Sequence, residues 1–198
     1  MQNIDEAKTL EEMLEELSIE RATPKRDCLL GARCYLSGPI ENDMTGNEHN
    51  WRNGPRIALR DRFGIALFDP FADPKQQWVP ILTRARHERN YAVMREIAKR
   101  FVRKDLAMVD RADFVIAYVP YKVPTTGTHH EIIMSNDAKK PTLLVCPEGK
   151  EFAPLWYYGF IPPDVIFGSW EELYDYLEEV NKGQHADNDR WAFTYGLV

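Results

Sequence analysis

The residues with the most chemical content stand in one run, Thr125-Thr126-Gly127-Thr128-His129-His130-Glu131. A carboxylate in the first turn of a helix, at the ligand edge of a sheet, can act as a nucleophile or a base. Gly127 would let the backbone approach a bound group, and the N–H groups that open a helix can hold an anion or a sugar oxygen. The competing reading is that Glu131 merely complements the helix dipole. His129 and His130 do not make a metal pair, because adjacent helical side chains diverge by about 100° and the run is not HExxH. The other histidines (His49, His87, His185) are scattered and read as surface or loop residues. Cys28, Cys34 and Cys146 contain no CxxC pair, which argues against a zinc cluster or a disulfide framework and fits reduced thiols in a cytoplasm. Neither a metal nor a cofactor is expected. GxGxxG, GxxxxGK[ST] and GxSxG are absent, so dinucleotide-binding, P-loop and hydrolase-elbow readings lose their main support.

These residues need a scaffold, and the hydrophobic pattern supplies one. Ala32–Ser37, Ile65–Asp69, Phe114–Val119, Thr142–Cys146 and Asp164–Phe167 read as strands. Between them, Trp51–Arg62, a long stretch from about Thr83 to Val109 with a break near Val102, Gly127–Ala138 and a helix capped by Ser169-Trp170-Glu171-Glu172 read as helices. Phe114 to Val119 is apolar throughout, as a central parallel strand covered on both faces would be. Strands alternating with helices predict an α/β fold: one doubly wound, flavodoxin-like parallel sheet of about five strands flanked by helices. In such sheets ligands sit beyond the carboxyl ends of the strands. That places Ser37-Gly38-Pro39-Ile40-Glu41, Asp69-Pro70-Phe71, Pro120–Glu131 and Pro147-Glu148-Gly149 around the expected site.

The chain has 198 residues, 44% hydrophobic and 28% charged, with a net charge of −6. That is enough for one core without staples, and it disfavours a long nucleic acid as partner. The exception is Arg84 to Lys104, where eight basic residues face Glu88 and Glu96, a local +6. The plain reading is a solvated helix face; the functional ones are attraction of phosphate groups or a subunit contact that completes the site. No apolar run is long enough to span a membrane. Residues 1–27 read as an N-terminal helical extension to a domain over 28–198. Thr9-Leu10-Glu11-Glu12 is a capping box, and Leu10, Met13, Leu14 and Leu17 form one amphipathic stripe.

Three segments in order resemble the nucleoside 2-deoxyribosyltransferase family, which includes the deoxynucleoside 5′-monophosphate N-glycosidases. They are Tyr35-Leu36-Ser37-Gly38-Pro39, Asp105-Leu106 ahead of Ala112-Asp113-Phe114-Val115-Ile116, and Gly127-Thr128-x-x-Glu131. The similarity covers about residues 33–147, and Arg190-Trp191-Ala192-Phe193 is similar to the family's aromatic C-terminal tail. The resemblance implies a double displacement at a sugar C1. Glu131 would attack the anomeric carbon and expel the base, and a second base or water would attack the resulting ester. It implies that Asp105 assists protonation of the base, a role that needs a pKa raised by burial, and that the Tyr35 hydroxyl steadies the nucleophile. Ser37, Gly38 and Pro39 would shape the base and sugar pocket, Gly127 and Thr128 would bind the sugar or its 5′ substituent, and Asp69 joins the substrate-binding set.

One departure from the pattern matters. Many of the transferases carry an Asp two residues before the loop glycine, where this chain has Thr125. A hydroxyl there is more like the monophosphate hydrolases, which hold phosphate with a serine. Arg52 reads either as a further phosphate contact or as a helix-surface arginine. The expected partners are therefore a nucleoside or nucleotide and a free nucleobase, in a cytoplasmic homo-oligomer, since family sites are often completed by a neighbouring subunit. Transfer and hydrolysis both stay open. So do a non-catalytic nucleotide-binding module and a structural partner protein joined through the helix at 10–20.

Overall fold

The computed structural model describes Thr9, residues 27–40 and residues 50–195. The expected amphipathic N-terminal helix, Glu41 and His49 lie outside the described residues. From Cys28 onward the chain builds β1 (Arg33–Ser37), α1 (Asn53–Phe63), β2 (Ala66–Phe68), α2 (Val79–His87), α3 (Tyr91–Arg111), β3 (Phe114–Tyr118), α4 (Thr126–Asp137), β4 (Thr142–Val145), β5 (Ile166–Phe167) and α5 (Trp170–Asn181). Short 3₁₀ turns fill several connections, and one at Asp189–Tyr195 follows α5.

All strand pairs are parallel, in the order β2-β1-β3-β4-β5. That is the flavodoxin-like order. It agrees with the expectation of a doubly wound five-stranded sheet. Strand alternation sorts the core into two faces. Cys34, Leu36, Phe114, Ile116, Leu143 and Val145 pack with Leu59 and Phe63 of α1 and Leu173 and Leu177 of α5. On the other face, Tyr35 and Val115 meet Val109 of α3, and Ala117 and Leu144 meet Ile132 of α4. The burial of β3 from Phe114 to Ala117 is what its apolar sequence demands.

Several expected boundaries move, and three of the shifts have consequences. The long stretch from Thr83 divides at Glu88–Asn90 rather than near Val102, which lies inside α3. Arg89 takes a left-handed conformation, φ +56°, and the Asn90 side chain accepts a hydrogen bond from Val93 N at 3.2 Å, so a new helix nucleates there. The first of the two helices starts at Val79, with Pro80 in its opening turn, where the missing N–H costs nothing. The expected start of α4 at Gly127 shifts back to Thr126, and Glu131, expected in the first turn, is the sixth residue of the helix and lies in its second turn.

The expected capping box at Ser169 forms in shifted form: its hydroxyl accepts from Glu172 N at 3.2 Å, while Glu172 Oε2 accepts at 3.0 Å from Gly168 N, one residue before the N-cap. The C-terminal turn docks where the strands begin. Trp191, 1% exposed, packs on Phe114 with ring centroids 5.4 Å apart, and its Nε1 donates to Tyr176 Oη at 3.0 Å. The aromatic tail therefore closes the end of the sheet opposite the carboxyl edge. All eight basic residues between Arg84 and Lys104 are exposed on α2, α3 and their junction. All three cysteines are buried thiols, and burial pushes Cys146 up to about 11. Among the described residues, no helix is long and apolar enough to cross a membrane.

Candidate active site

Parallel strands point their carboxyl ends at one edge, and the order of this sheet reverses between β1 and β3. Ligands collect at such a switch point. Tyr35 and Ser37 stand two residues apart on β1, so their side chains leave the same face. Both are fully buried. Across from them, Thr128, Glu131, Ile132 and Ser135 are the buried residues of α4, spaced i, i+3, i+4 and i+7, so Glu131 lies on the face that packs on the sheet. Here the two elements join. Tyr35 Oη donates to Glu131 Oε1 at 2.8 Å, and Ser37 Oγ donates to Glu131 Oε2.

Each oxygen of a carboxylate 7% exposed thus has its own hydroxyl donor. Burial, and then the neighbouring Glu131 carboxylate, pushes the Tyr35 phenol well above its ordinary value. It therefore keeps its proton and remains a donor. Glu131 does not serve as a dipole complement, since that effect fades beyond the first turn. The chemistry such an arrangement permits is nucleophilic: a carboxylate fixed at both oxygens, with little freedom to lose on reaching a transition state.

The start of α4 lies just above. Thr125 occupies the N-cap position, is buried, and makes no side-chain capping bond. Gly127 is exposed, and a Cβ built there meets nothing within 4 Å. No packing inside the described chain requires glycine at that position, which leaves open backbone facing outward. Thr128 is buried below it. His129 leans toward Tyr157, with Nδ1 against the phenol oxygen, and burial lowers its pKa. His130 is exposed. The three consecutive side chains His129, His130 and Glu131 therefore point in three directions.

The second group of expected site residues forms around Arg52. It is fully buried and not a helix-surface residue. Its guanidinium donates to Gly38 O and Pro39 O, each at 3.0 Å, and its Nε lies 3.4 Å from Asp69 Oδ1. The Trp51 ring covers it, 4.2 Å from Cζ to the centroid. Asp69 is also nearly buried. Its Oδ1 accepts from Phe71 N at 2.8 Å, and its Oδ2 faces Arg56 Nη1 at 3.6 Å. Gly38 has its own steric reason: a Cβ there would fall 2.4 Å from Trp51 Cζ2.

Asp105 is half-buried on α3, four residues before Val109 and so on the same helical stripe. Val109 packs against Tyr35. Because α3 runs toward the amino end of β3, Asp105 sits about 6 Å nearer the carboxyl edge than Val109.

Sequence reasoning missed an aromatic stack beside the switch point. Trp51, Tyr118 and Trp170 lie ring to ring, with centroids 4.6 Å apart for Trp51–Tyr118 and 5.8 Å for Trp51–Trp170. The available signal was position: Tyr118 ends β3, and Trp51 and Trp170 stand at helix starts that open on the same edge. A cavity of about 550 Å3 runs along the β2 edge. It takes in Arg56, Phe68, Asp69, Asp73 and Met108, so it adjoins the Arg52 group without reaching Glu131.

No family model matches the sequence, and no curated protein matches it. Among solved structures, the chain is similar to a 2-deoxyribosyltransferase from the psychrotolerant bacterium Bacillus psychrosaccharolyticus, described as a biocatalyst for nucleoside synthesis. The TM-score is 0.50 at 19% identity, over 73% of this chain and 92% of that one. At this identity the likeness establishes a shared fold.

Proposed function

We propose that the protein is an N-glycosyl transfer enzyme of nucleosides, with Glu131 as the nucleophile. The observation that supports this most directly is the Glu131 carboxylate, buried at the switch-point edge with Tyr35 on one oxygen and Ser37 on the other. Glu131 attacks C1 of a bound deoxynucleoside and the base departs with the glycosidic electron pair, taking a proton from Asp105 or solvent. The sugar stays as an ester on Glu131 until the nitrogen of a second base displaces the carboxylate. Tyr35 and Ser37 release and regain the carboxylate's charge as the ester forms and breaks. Gly127, Thr128 and the turn from Ser37 to Pro39 enclose the sugar and base.

A second reading is hydrolysis of deoxynucleoside 5′-monophosphates, with water as the final acceptor. What favours it is Thr125, whose buried hydroxyl is not used to cap α4; a phosphate there would meet that hydroxyl and the free N–H groups of the helix start. Incubation with a deoxynucleoside and a different free base, and separately with deoxynucleoside monophosphates, separates the readings. A new nucleoside supports transfer, and sugar phosphate with free base supports hydrolysis. A 2-fluoro sugar analogue should add its sugar mass to the wild-type protein and not to Glu131→Gln. Absence of product and adduct alike would leave a nucleotide-binding module, detected as a ligand-dependent rise in Tm.

A further inference from the structure

We infer that Arg52, braced by Asp69, is a positioning residue that fixes the Ser37–Pro39 turn and, through Ser37, the Glu131 carboxylate. The inference rests on Glu131 acting as the nucleophile. The chain of contacts is continuous: Phe71 N holds Asp69, Asp69 faces Arg52, and Arg52 holds the carbonyls of Gly38 and Pro39. Ser37, the first residue of that turn, holds Glu131. Four elements, the ends of β1 and β2, the start of α1 and the second turn of α4, are tied into one object.

The chemistry of the side chain suits this task. A guanidinium offers several donors in a rigid plane, so it can hold two successive carbonyls while facing a carboxylate and stacking on a ring. Trp51 seals its face, and Gly38 is the residue small enough to lie under Trp51. A fully buried arginine is costly unless compensated, and Asp69 supplies the compensating charge at 3.4 Å. The pair is also felt at the dyad: Arg52 pulls the Tyr35 phenol down and Asp69 pushes it up, so their effects on Tyr35 oppose each other. Support lost here shifts the nucleophile, and a displacement of about 1 Å can cost about a hundredfold in rate. The partners Arg52 has already engaged are backbone carbonyls and a carboxylate, which are not those of a phosphate ligand.

The test uses the full chain and five proteins: wild type, Arg52→Lys, Arg52→Ala, Asp69→Asn and the double variant of Arg52→Lys with Asp69→Asn. Each is assayed with a deoxynucleoside plus acceptor base and with deoxynucleoside monophosphates, below its own melting transition. Lysine keeps the charge and loses the planar fork, so Arg52→Lys should lower kcat roughly tenfold to a hundredfold, with KM within about threefold, equally for both substrates. Asp69→Asn should show the same split and keeps the test alive should Arg52→Lys fail to fold. The double variant should be no worse than the poorer single one, because the two act as a unit. Guanidinium chloride well below denaturing concentration should restore part of the turnover to Arg52→Ala, which a general packing defect would not allow. An active wild type with unchanged kcat in Arg52→Lys overturns the inference alone. A KM increase confined to monophosphates overturns it in favour of a phosphate contact. A wild type that turns over neither substrate overturns the glycosyl-transfer reading itself.

Discussion

Replacing Tyr35 by Phe removes one oxygen and leaves the ring in place. The phenol is fully buried and donates to Glu131 Oε1 at 2.8 Å, so the variant leaves a buried carboxylate held, among the described residues, by Ser37 alone. A hydrogen bond to a charged group contributes about 1.5–3 kcal/mol, against about 0.5–1.5 kcal/mol for a neutral pair. In a chain of this size each kcal/mol moves Tm by about 2–4 °C, so Tyr35→Phe should melt about 3–12 °C below wild type. The same change made in Glu131→Gln meets a neutral amide and should cost only the smaller amount. The difference, about 1–1.5 kcal/mol, is the coupling between phenol and carboxylate. Thermal melts and urea titrations of the four proteins at neutral pH measure it. A Tm change in Tyr35→Phe of less than about 1 °C, or an equal cost in both backgrounds, would refute a charge-assisted bond here.

Four further outcomes follow from the structure. Gly38→Ala should displace the Trp51 ring and destabilise the fold by about 1–3 kcal/mol, visible as altered tryptophan fluorescence. Gly127→Ala should melt at or slightly above wild type, since its Cβ meets nothing, while sugar transfer falls if the open backbone there faces substrate. Trp191→Ala should cost about 3–5 kcal/mol, read by denaturant titration, because the indole fills the start of β3 and is bonded to Tyr176. Above pH about 10 an unfolded chain ionises its tyrosines, whereas Tyr35 and Tyr174, the latter raised to about 12 by burial, hold their protons in the fold. The unfolded state then binds fewer protons, so stability falls as pH rises, by about 1.4 kcal/mol per pH unit for each such tyrosine. Tyr35→Phe should show a shallower alkaline decline in pH-dependent melts.

Much of this molecule is readable from local pattern. The apolar run at Phe114–Tyr118, the capping residues at Ser169 and the placing of Gly127 and Glu131 at a helix entering from a strand all follow from residue type and spacing. So does the alternation of strands and helices that requires a parallel sheet. The break between α2 and α3 was less legible. It depends on Arg89 adopting a positive φ, and nothing in an arginine announces that.

Arg52 shows the limit more sharply. Beside Trp51 at a helix start it reads as a surface cation, and its burial depends on Gly38, Pro39 and Asp69 arriving from two strand ends. Alternation along β1 is a local property, so Tyr35 and Ser37 share a face whatever lies opposite them. What lies opposite is set by the crossover through α3 and β3, which brings α4 over β1 and places Glu131, 96 positions from Tyr35 in the chain, against its hydroxyl. The sequence by itself determined the kinds of groups and the faces they occupy, because those follow from periodicities of two and 3.6 residues. The pairing of those groups across the fold was decided by tertiary structure alone, because packing and charge compensation depend on distances that no local pattern encodes.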